Sequence, residues 1–340
     1  MPTDTTNAER TDGVQQPLLE ARDVEKGFDD GAVLEGLDLT VEKGELVTLM
    51  GPNGVGKSVF LSCLAGSTAP ERGEIELFGD RSPTEARSAT SVMLQGETID
   101  PDLTGRENLQ FYGDLHPRAT DDWRALVDRL ELTPDLDRPA REYSGGMRRK
   151  LELAIALTVD ADLYLLDEPT AELDLAMIQI VHDLLLEYRE AGKTILVTSH
   201  APLDAQIADR IAFVRDGRTV TTGAPTTLLE ALPPVVRIRG AMAPESLFLG
   251  DRVFQRGDEI RGFLASETDL TAIENAVEGA REGATVDPDP PSYTDLFNYY
   301  TYVQSARGDA TRGVGSSVAE ATDSAGIAAE PSDPEEAEHR

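Results

Sequence analysis

Three features of this 340-residue sequence predict an α/β fold with a parallel sheet at its core. Short apolar runs alternate with amphipathic helical patterns between residues 45 and 200. A glycine-rich segment, Gly51–Ser58, joins one apolar run to the helical pattern that follows it. Farther along, Asp216-Gly217 separates two more apolar runs and predicts a hairpin. Because parallel neighbours need crossover connections, the alternation of strands and helices indicates a parallel sheet.

The predicted elements follow the apolar runs in chain order. We expect strands over residues 18–21, 33–41, 45–50, 73–79, 91–95, 161–167 and 194–199, and a hairpin over 211–220. We expect helices from Ser58 to about Gly66, through most of residues 97–157, and over Ala176–Glu190. Between the first two strands, Lys26–Gly31 is rich in turn-forming residues and predicts a loop.

Changes in composition divide the chain into four parts. Residues 1–16 are polar and predict a disordered N-terminus. Residues 17–230 contain the alternating elements and form the predicted main domain, with a helical subdomain over about 97–157. Residues 231–304 predict a small α+β extension. Residues 305–340 are acidic and poor in large apolar side chains, which predicts a disordered tail.

Two patterns define the predicted extension. An amphipathic helix is expected over about residues 269–280. A tyrosine-rich segment over Pro288–Val303 presents more aromatic side chains than a short loop needs. We therefore expect these aromatic residues to pack against another part of the protein.

The net charge of -32 limits the classes of partner. An acidic surface repels phosphate backbones, which argues against a general role in binding nucleic acid. Most of the 31 basic residues are arginine, and the acidity continues through the predicted folded part. Such a surface resembles that of halophilic proteins, since the Debye length is only about 3 Å at 1 M salt. The alternative is that acidic tails inflate the count.

The sequence also predicts the compartment. Its one cysteine, Cys63, rules out an intrachain disulfide and fits a buried position after the glycine-rich segment. The N-terminal residues do not resemble a signal peptide, and no stretch approaches about 18 uncharged apolar residues. We expect a cytoplasmic protein that is held at a membrane only through a partner.

The glycine-rich segment has the pattern of a phosphate-binding loop, G-x-x-x-x-G-K-[ST]. Its residues are Gly51, Pro52, Asn53, Gly54, Val55, Gly56, Lys57 and Ser58. Glycines allow successive N–H groups to point at phosphate oxygens, and the following helix adds its positive N-terminus. Lys57 is predicted to reach the β- and γ-phosphates, and the Ser58 hydroxyl to bind Mg²⁺. A plain glycine-rich turn is the alternative, but the flanking strand and helix favour a nucleoside triphosphate.

Two acidic residues, Asp167 and Glu168, close the apolar run before residue 168. A carboxylate at the carboxyl end of a strand beside a phosphate-binding loop is well placed to hold Mg²⁺. Glu168 could orient and deprotonate the attacking water, which is the main task in phosphoryl transfer. On its own an Asp-Glu pair is more often a solvated turn.

A second candidate anion site lies at Ser144-Gly145-Gly146, where a helical pattern begins. An ordinary helix N-cap is the alternative interpretation. One nucleotide cannot readily occupy two separate helix N-termini that approach it from opposed directions. The economical hypothesis is that this site binds the γ-phosphate of a nucleotide held by another subunit.

These motifs, together with Gln95, Asp174 and His200, occur in the order and spacing of ATP-binding-cassette ATPases, which the sequence resembles over about residues 18–228. The resemblance implies a P-loop NTPase cassette with an antiparallel N-terminal β subdomain and a helical subdomain. It also implies that ATP is sandwiched between two cassettes in a head-to-tail dimer. The partner cassette is either a second copy of this chain or a paralogue.

The resemblance implies further roles, residue by residue. Phe28 is similar to the aromatic residue that stacks on adenine, although a phenylalanine could equally lie in the core. Gln95 resembles the glutamine that senses Mg²⁺ or water, and Asp174 belongs to the loop 171–174 that crosses the dimer interface. Glu168 resembles the catalytic base and His200 the switch histidine that contacts the γ-phosphate. The other histidines, 116, 182 and 339, are assigned no role.

The sequence departs from the commonest family pattern at several positions. Tyr143 and Met147 flank the Ser-Gly-Gly in place of the commonest leucine and glutamine. Val59 follows the expected Mg²⁺ ligand in place of the usual threonine. Glu172 occupies a position where glycine is frequent. Tyr-Ser-Gly-Gly-Met-Arg-Arg is similar to cassettes of exporters whose membrane subunits are separate chains. The segment 291–297 resembles the C-terminal extension of the same class, a weaker match.

The resemblance favours one function over two others. We expect the ATPase subunit of a membrane transporter, more specifically an exporter, that drives a separate transmembrane permease. The alternative is a soluble cassette ATPase acting in nucleic-acid, ribosome or assembly processes, which would be expected to carry two cassettes, a coiled-coil arm or basic surfaces. A non-catalytic nucleotide switch is the third hypothesis, and intact Glu168 and His200 speak against it.

Overall fold

The computed structural model describes residues 16–29, 31–95, 99–265, 268–278 and 284–304. The predicted tail after 304 and the predicted N-terminus up to residue 15 lie outside the described residues. The strands of the described part are β1 (Leu19–Phe28), β2 (Gly31–Val41), β3 (Leu46–Met50), β4 (Arg72–Leu77), β5 (Thr90–Met93), β6 (Leu163–Asp167), β7 (Thr194–Ser199), β8 (Arg210–Arg215), β9 (Arg218–Gly223), β10 (Val235–Arg239), β11 (Val253–Arg256), β12 (Glu259–Phe263) and β13 (Thr285–Asp289).

The helices alternate with the strands in the main domain and end the chain's described part. They are α1 (Lys57–Leu64), α2 (Pro83–Ala86), α3 (Gly105–Leu115), α4 (Trp123–Arg129), α5 (Gly145–Leu157), α6 (Leu175–Glu190), α7 (Pro225–Glu230), α8 (Thr268–Glu278) and α9 (Tyr293–Asn298), with a π-helical turn at Tyr299–Val303. None of these helices is long and apolar enough to cross a membrane within the described residues.

A six-stranded sheet with the order β5-β6-β7-β3-β8-β9 forms the centre of the main domain. The pairs among its first five strands are parallel, whereas β8 and β9 form the antiparallel hairpin predicted at Asp216-Gly217. Every residue of β3, β6 and β7 is buried, because helices or strands cover both faces of the sheet. The parallel core expected from the alternating elements is confirmed.

The N-terminal strands form a separate three-stranded sheet of order β2-β1-β4, in which both pairings are antiparallel. The loop predicted over Lys26–Gly31 is wrong at most of its residues. Gly27 pairs with Ala32 and Phe28 with Gly31, so the two strands extend almost to the tip of the hairpin. Cross-strand hydrogen bonds override the local turn propensity of these residues.

The helical segments between β5 and β6 cover one end of the sheet. Asn108 on α3 is fully buried, and its amide donates to the carbonyl oxygens of Asp100 and Thr104 at 3.0 Å each. These bonds hold the connection from β5 against α3. Trp123 and Leu151 join the same hydrophobic cluster, so α4 and α5 pack together as one unit.

The C-terminal extension has its own four-stranded antiparallel sheet of order β11-β12-β10-β13. Ile273 of α8 packs in its core with Val236 and Ile260. The segment that follows returns to the main domain: the rings of Tyr300 and Phe213 on β8 stack with centroids 5.0 Å apart. The docking predicted for the tyrosine-rich segment is therefore confirmed.

Candidate functional site

The predicted phosphate-binding loop (P-loop, Gly51–Ser58) joins the carboxyl end of β3 to α1. Gly56 has a φ of 99°, a left-handed conformation that favours glycine. A Cβ at Gly56 would lie 2.6 Å from Leu34 Cδ2, and one at Gly51 would lie 2.4 Å from the Val214 carbonyl oxygen. The surrounding strands thus leave room for the backbone of the loop and no side chain at these two positions.

Lys57 is the cation of this loop, and it is 5% exposed. Its Nζ donates to the carbonyl oxygens of Gly51 at 2.8 Å and Pro52 at 3.0 Å. The same nitrogen lies 4.0 Å from Glu168 Oε1. Burial lowers the pKa of the Lys57 ammonium, and the nearby Glu168 and Asp167 carboxylates oppose that shift. The lysine therefore rests inside the loop, and its charge is only partly compensated.

Asp167 ends β6 and is fully buried. The Thr198 hydroxyl on the neighbouring strand donates to one of its oxygens, and the Gln95 backbone N–H lies 3.4 Å from the other. Ser58 is in the first turn of α1, beside Lys57. The hydroxyl, carboxylate and carboxamide oxygens of Ser58, Asp167 and Gln95 are the hard donors that Mg²⁺ prefers.

The chemistry of this donor set fits Mg²⁺ but does not form a complete cage. Among the described residues no group of three or more His, Cys, Asp or Glu side chains could hold a metal ion. Mg²⁺ commonly binds through one or two carboxylates while substrate phosphates and water supply the remaining ligands. The residues present match that kind of shared site.

Glu168 and His200 face each other across the ends of β6 and β7. His200 Nδ1 lies 2.9 Å from Glu168 Oε1, and it donates to that oxygen in the tautomer protonated at Nδ1. Glu168 has a left-handed φ of 49°, and its backbone N–H donates to the Thr198 carbonyl at 3.1 Å. The Glu168 side chain is mostly buried, whereas that of His200 is 45% exposed. One histidine edge is therefore open to a molecule that approaches from outside.

The structure thus brings four predicted residues to one edge of the central sheet: Lys57, Asp167, Glu168 and His200. Gln95 follows β5 at the same edge, its backbone next to Asp167. Parallel strands place their carboxyl ends together, which is why residues separated by more than a hundred positions meet here.

The predicted second anion site is elsewhere on the surface of the chain. Ser144 caps α5, since its side-chain oxygen accepts the Met147 N–H at 3.2 Å. Ser144 is exposed, and Gly145 and Gly146 are partly exposed. Within the part of the chain that the structure describes, no hydrogen bond or ion pair joins these three residues to the P-loop.

The loop 171–174 lies directly over this second site. An ideal Cβ on Gly145 would fall 1.5 Å from Glu172 Oε2, so the Glu172 carboxylate lies against the glycine. Glu172 has a φ of 63°, which explains physically why glycine suits this position. Asp174 caps α6 by accepting the Met177 N–H at 2.9 Å. Glu172 is thus a non-glycine residue held in a left-handed backbone conformation, which is strained.

Phe28, the predicted adenine-stacking residue, is 57% exposed at the end of β1. Lys26 Nζ lies 5.5 Å from the centroid of its ring, and both residues line a surface cavity with Glu71. The exposure removes the alternative that Phe28 is a core residue. An exposed aromatic face with a cation above it is suited to stacking on a flat ring.

Sequence reasoning missed two buried polar residues near the site. Thr198 bonds to both Asp167 and the Glu168 backbone, and Asp204 bonds to residues beside Glu168 and His200. The available signal for Thr198 was a hydroxyl within an otherwise apolar strand, two residues before His200. Asp204 follows a proline in a turn, where an acidic side chain reads as solvated.

Comparison with known proteins identifies relatives of the whole main domain. A family model described as ABC transporter matches residues 34–171. Nod factor export ATP-binding protein I of Burkholderia lata is 40% identical over 221 residues, which are 63% of this chain and 73% of that protein. The protein of the same name from Sinorhizobium fredii is 36% identical over 291 residues, 82% of this chain and 84% of that protein.

Solved structures agree with these relatives. The structure of an ATP-binding subunit of an ABC transporter has a TM-score of 0.57 and 26% identity, covering 63% of this chain and 92% of that one. A dimeric ATP-binding cassette in a post-hydrolysis state, bound to ADP and Pi, has a TM-score of 0.56 and 25% identity, covering 61% and 98%. The family model and the relative from Sinorhizobium fredii, which covers most of both chains, establish the family, and the solved structures share the fold: this chain belongs to the ABC transporter family.

Proposed function

We propose that this chain is the ATP-hydrolysing subunit of an ABC exporter, acting as one half of a head-to-tail dimer of cassettes. The observation that carries the proposal is the convergence of Lys57, Asp167, Glu168 and His200 at one edge of the central sheet. A buried cation, a buried carboxylate and a second, mostly buried carboxylate paired with an exposed histidine are the groups that phosphoryl transfer from ATP to water requires.

The first step of the proposed reaction is capture of the triphosphate. The backbone N–H groups of the P-loop and the N-terminus of α1 bind the phosphate oxygens. Lys57 Nζ exchanges its hydrogen bonds to the Gly51 and Pro52 carbonyl oxygens for contacts with the phosphate oxygens. The charged phosphates compensate the lysine charge better than two carbonyl dipoles do. The ring of Phe28 stacks on the adenine.

The second step is attack by water on the γ-phosphate. The Glu168 carboxylate orients the water and accepts a proton from it. His200, which is hydrogen-bonded to the same carboxylate, holds Glu168 in place. In the form protonated at both ring nitrogens, His200 donates from Nδ1 to Glu168 and from its exposed edge to the γ-phosphate. Bound Mg²⁺ would neutralise charge on the phosphate oxygens, and Ser58, Asp167 and Gln95 are the residues that would hold it.

The third component is the partner cassette. Ser144, Gly145 and Gly146 present a helix N-terminus that their own P-loop does not use, and in the proposed dimer they bind the γ-phosphate held by the partner. Asp174 and its loop cross the interface beside them. This arrangement makes each hydrolysis site depend on both chains.

The relatives named for Nod factor export support the direction of transport that we propose. The alignment with the Sinorhizobium fredii protein is longer than the main domain, so it includes part of the C-terminal extension. The permease is proposed to be a separate chain that holds this subunit at the cytoplasmic face of the membrane. The net charge of -32 supports adaptation to high salt as a further part of the proposal.

The primary experiment measures ATP turnover in molar KCl with Mg²⁺. Wild type is expected to hydrolyse ATP, and Glu168→Gln to lose about 100- to 1000-fold in turnover while it still binds ATP, because only the proton acceptor is removed. Glu190→Gln, at the exposed end of α6, is the matched control and keeps wild-type turnover. Turnover that survives in Glu168→Gln would contradict the proposed mechanism.

A pull-down tests the transporter part. Tagged Glu168→Gln loaded with ATP, mixed with solubilised membranes, is expected to recover an integral membrane protein. Recovery of soluble factors alone from fully solubilised membranes would favour the soluble cassette ATPase of the alternative hypothesis.

A further inference from the structure

A buried carboxylate that the proposed reaction does not use lies behind the hydrolysis site. Asp204 belongs to a 3-10 turn, Pro202–Gln206, that follows β7, and it is 1% exposed. A carboxylate this deeply buried is costly unless hydrogen bonds satisfy its oxygens. Its partners therefore define what it does.

Three side chains satisfy the Asp204 carboxylate. Thr170 Oγ1 donates to Oδ2 at 2.8 Å, and the Ser199 hydroxyl donates to the same oxygen. His182 Nε2 lies 2.7 Å from Oδ1 and donates to it in the tautomer protonated at Nε2. The Thr48 hydroxyl also lies 3.4 Å from the Asp204 carbonyl oxygen. Every oxygen of the residue is engaged.

The positions of the three partners are informative. Thr170 is two residues after Glu168, and Ser199 immediately precedes His200. His182 lies on α6, the helix that Asp174 caps and that leads away from the loop 171–174. One carboxylate thus joins the turn that carries the proposed base, the strand end that carries the proposed switch histidine, and the helix behind the interface loop.

The same turn is supported from the other side by the C-terminal extension. Leu296 and Phe297 of α9 belong to the hydrophobic cluster that contains Ala205 of the turn. The Arg261 guanidinium pairs with the buried Asp295 of α9, which anchors that helix to β12. The turn is therefore held between the hydrolysis site and the extension.

We propose that Asp204 is a positioning residue that fixes Glu168 and His200 relative to each other during hydrolysis. The inference rests on the proposed function, in which those two residues act on water and on the γ-phosphate. Among the described residues Asp204 forms no hydrogen bond to Glu168, His200 or the P-loop, and it acts through Thr170 and Ser199.

Two local features explain why such positioning is needed. Glu168 has a left-handed φ, a conformation that a non-glycine residue keeps only when its surroundings hold it. His200 is largely exposed, and its side-chain hydrogen bond is to Glu168 itself. The geometry of the pair is thus set by the backbones on either side, which Asp204 ties together. A fully bonded buried network is suited to this role because it fixes one arrangement.

The test compares two substitutions at Asp204. In Asp204→Ala the hydroxyls of Thr170 and Ser199 lose their acceptor, and we expect kcat for ATP hydrolysis to fall about 10- to 100-fold, because a displacement near 1 Å has that consequence. The KM for ATP and the affinity for a fluorescent ATP analogue should stay within about threefold, since the P-loop is not touched. Asp204→Asn is expected to recover most of kcat, because its amide can hold the same partners once the hydroxyls reverse.

Glu45→Ala provides the matched control. Glu45 immediately precedes β3, at the end of that strand opposite to the P-loop. The Glu45 carboxylate also accepts several hydrogen bonds, two from Arg210 and one from the Glu42 N–H. Its removal is expected to lower the melting temperature and leave kcat near that of wild type. A loss of kcat in Glu45→Ala equal to that in Asp204→Ala would overturn the proposal, because destabilisation alone would then explain both.

Thr170→Val covers the case in which Asp204→Ala fails to fold. It removes one hydroxyl at nearly constant volume, and kcat should fall about threefold or more with KM unchanged. Wild-type kcat in both Asp204→Ala and Thr170→Val would overturn the inference and leave the proposed function intact. Loss of the proposed function is recognised separately, by turnover that persists in Glu168→Gln.

Discussion

Two predicted anion sites lie at helix N-termini in the described part of the chain, and they differ in how complete they are. At the start of α1, Lys57 is buried and folds back on the carbonyls of its own loop. At the start of α5, Ser144 is exposed and its hydroxyl is already used to cap the helix. The first site is built into the sheet, and the second lies at the surface under Glu172.

In the proposed dimer this difference divides the binding of each nucleotide between two chains. The P-loop is enclosed by β2 and β8, which come so close that Gly51 and Gly56 admit no side chain. Within the described residues, the nearest contacts of Gly145 and Gly146 come from the loop 171–174, and Ser144 is exposed on the outer side. A site that is enclosed can bind on its own, whereas an open one needs a second surface to exclude water.

The largest expected effect comes from breaking each site separately. Lys57→Met should abolish ATP binding and lower turnover at least about 100-fold, because the buried cation is lost. Gly146→Ala places a Cβ 2.9 Å from the Glu172 carbonyl oxygen and should lower turnover about tenfold or more while ATP binding persists.

A mixture of the two impaired variants tests whether the two sites serve one nucleotide. Random pairing in an equal mixture makes about half of the dimers mixed, and each mixed dimer contains one intact composite site of two. About a quarter of wild-type turnover should therefore return. Each variant measured alone at the same total concentration is the control. A mixture that shows no recovery would mean that the two N-termini do not serve one nucleotide.

A smaller effect is expected on stability when the enclosed loop is overfilled. Gly56→Ala should reduce the free energy of unfolding by about 2–4 kcal/mol, since a left-handed residue costs about 1–2 and crowding against Leu34 adds to it. Gly54→Ala, also at positive φ but with no atom within 4 Å of its Cβ, should cost only the first part. Denaturant unfolding of both variants measures the difference, and equal costs would show that the loop is not enclosed.

The smallest expected effect is a pH dependence that belongs to the first site alone. Burial lowers the pKa of Lys57, so the ATP-free protein loses this charge at a lower pH than an exposed lysine would. ATP affinity should therefore decline with rising pH over a range that lies below the one in which ordinary lysines titrate, about 10.4. The contribution of Lys57 to folding has the opposite sign: the unfolded state holds the proton more tightly, so stability rises over the same window.

Lys57→Arg separates this cause from others, because a guanidinium stays charged throughout the range. Titration calorimetry of ATP binding at several pH values should show a decline for wild type and a flat profile for Lys57→Arg. Parallel declines in both proteins would assign the effect to groups other than Lys57.

The elements that could be predicted from the sequence alone are those whose signals are local. The P-loop, the acidic pair at the end of β6 and the alternation of strands and helices depend on residues that are near one another in the chain. Apolar runs that end in Asp167 or His200 predict buried parallel strands, whose carboxyl ends share one edge. The family followed from the order of these motifs.

Features that join distant segments could not be predicted from the sequence and became visible in the tertiary structure. Cross-strand pairing turned the expected loop at Lys26–Gly31 into strand, and packing placed Phe28 outside the core. The Asp204 network unites residues from three separate segments, and each of them looks ordinary in the sequence. Local propensity depends on residues that are neighbours in the sequence, whereas the burial of a polar group depends on which segments the fold brings together around it.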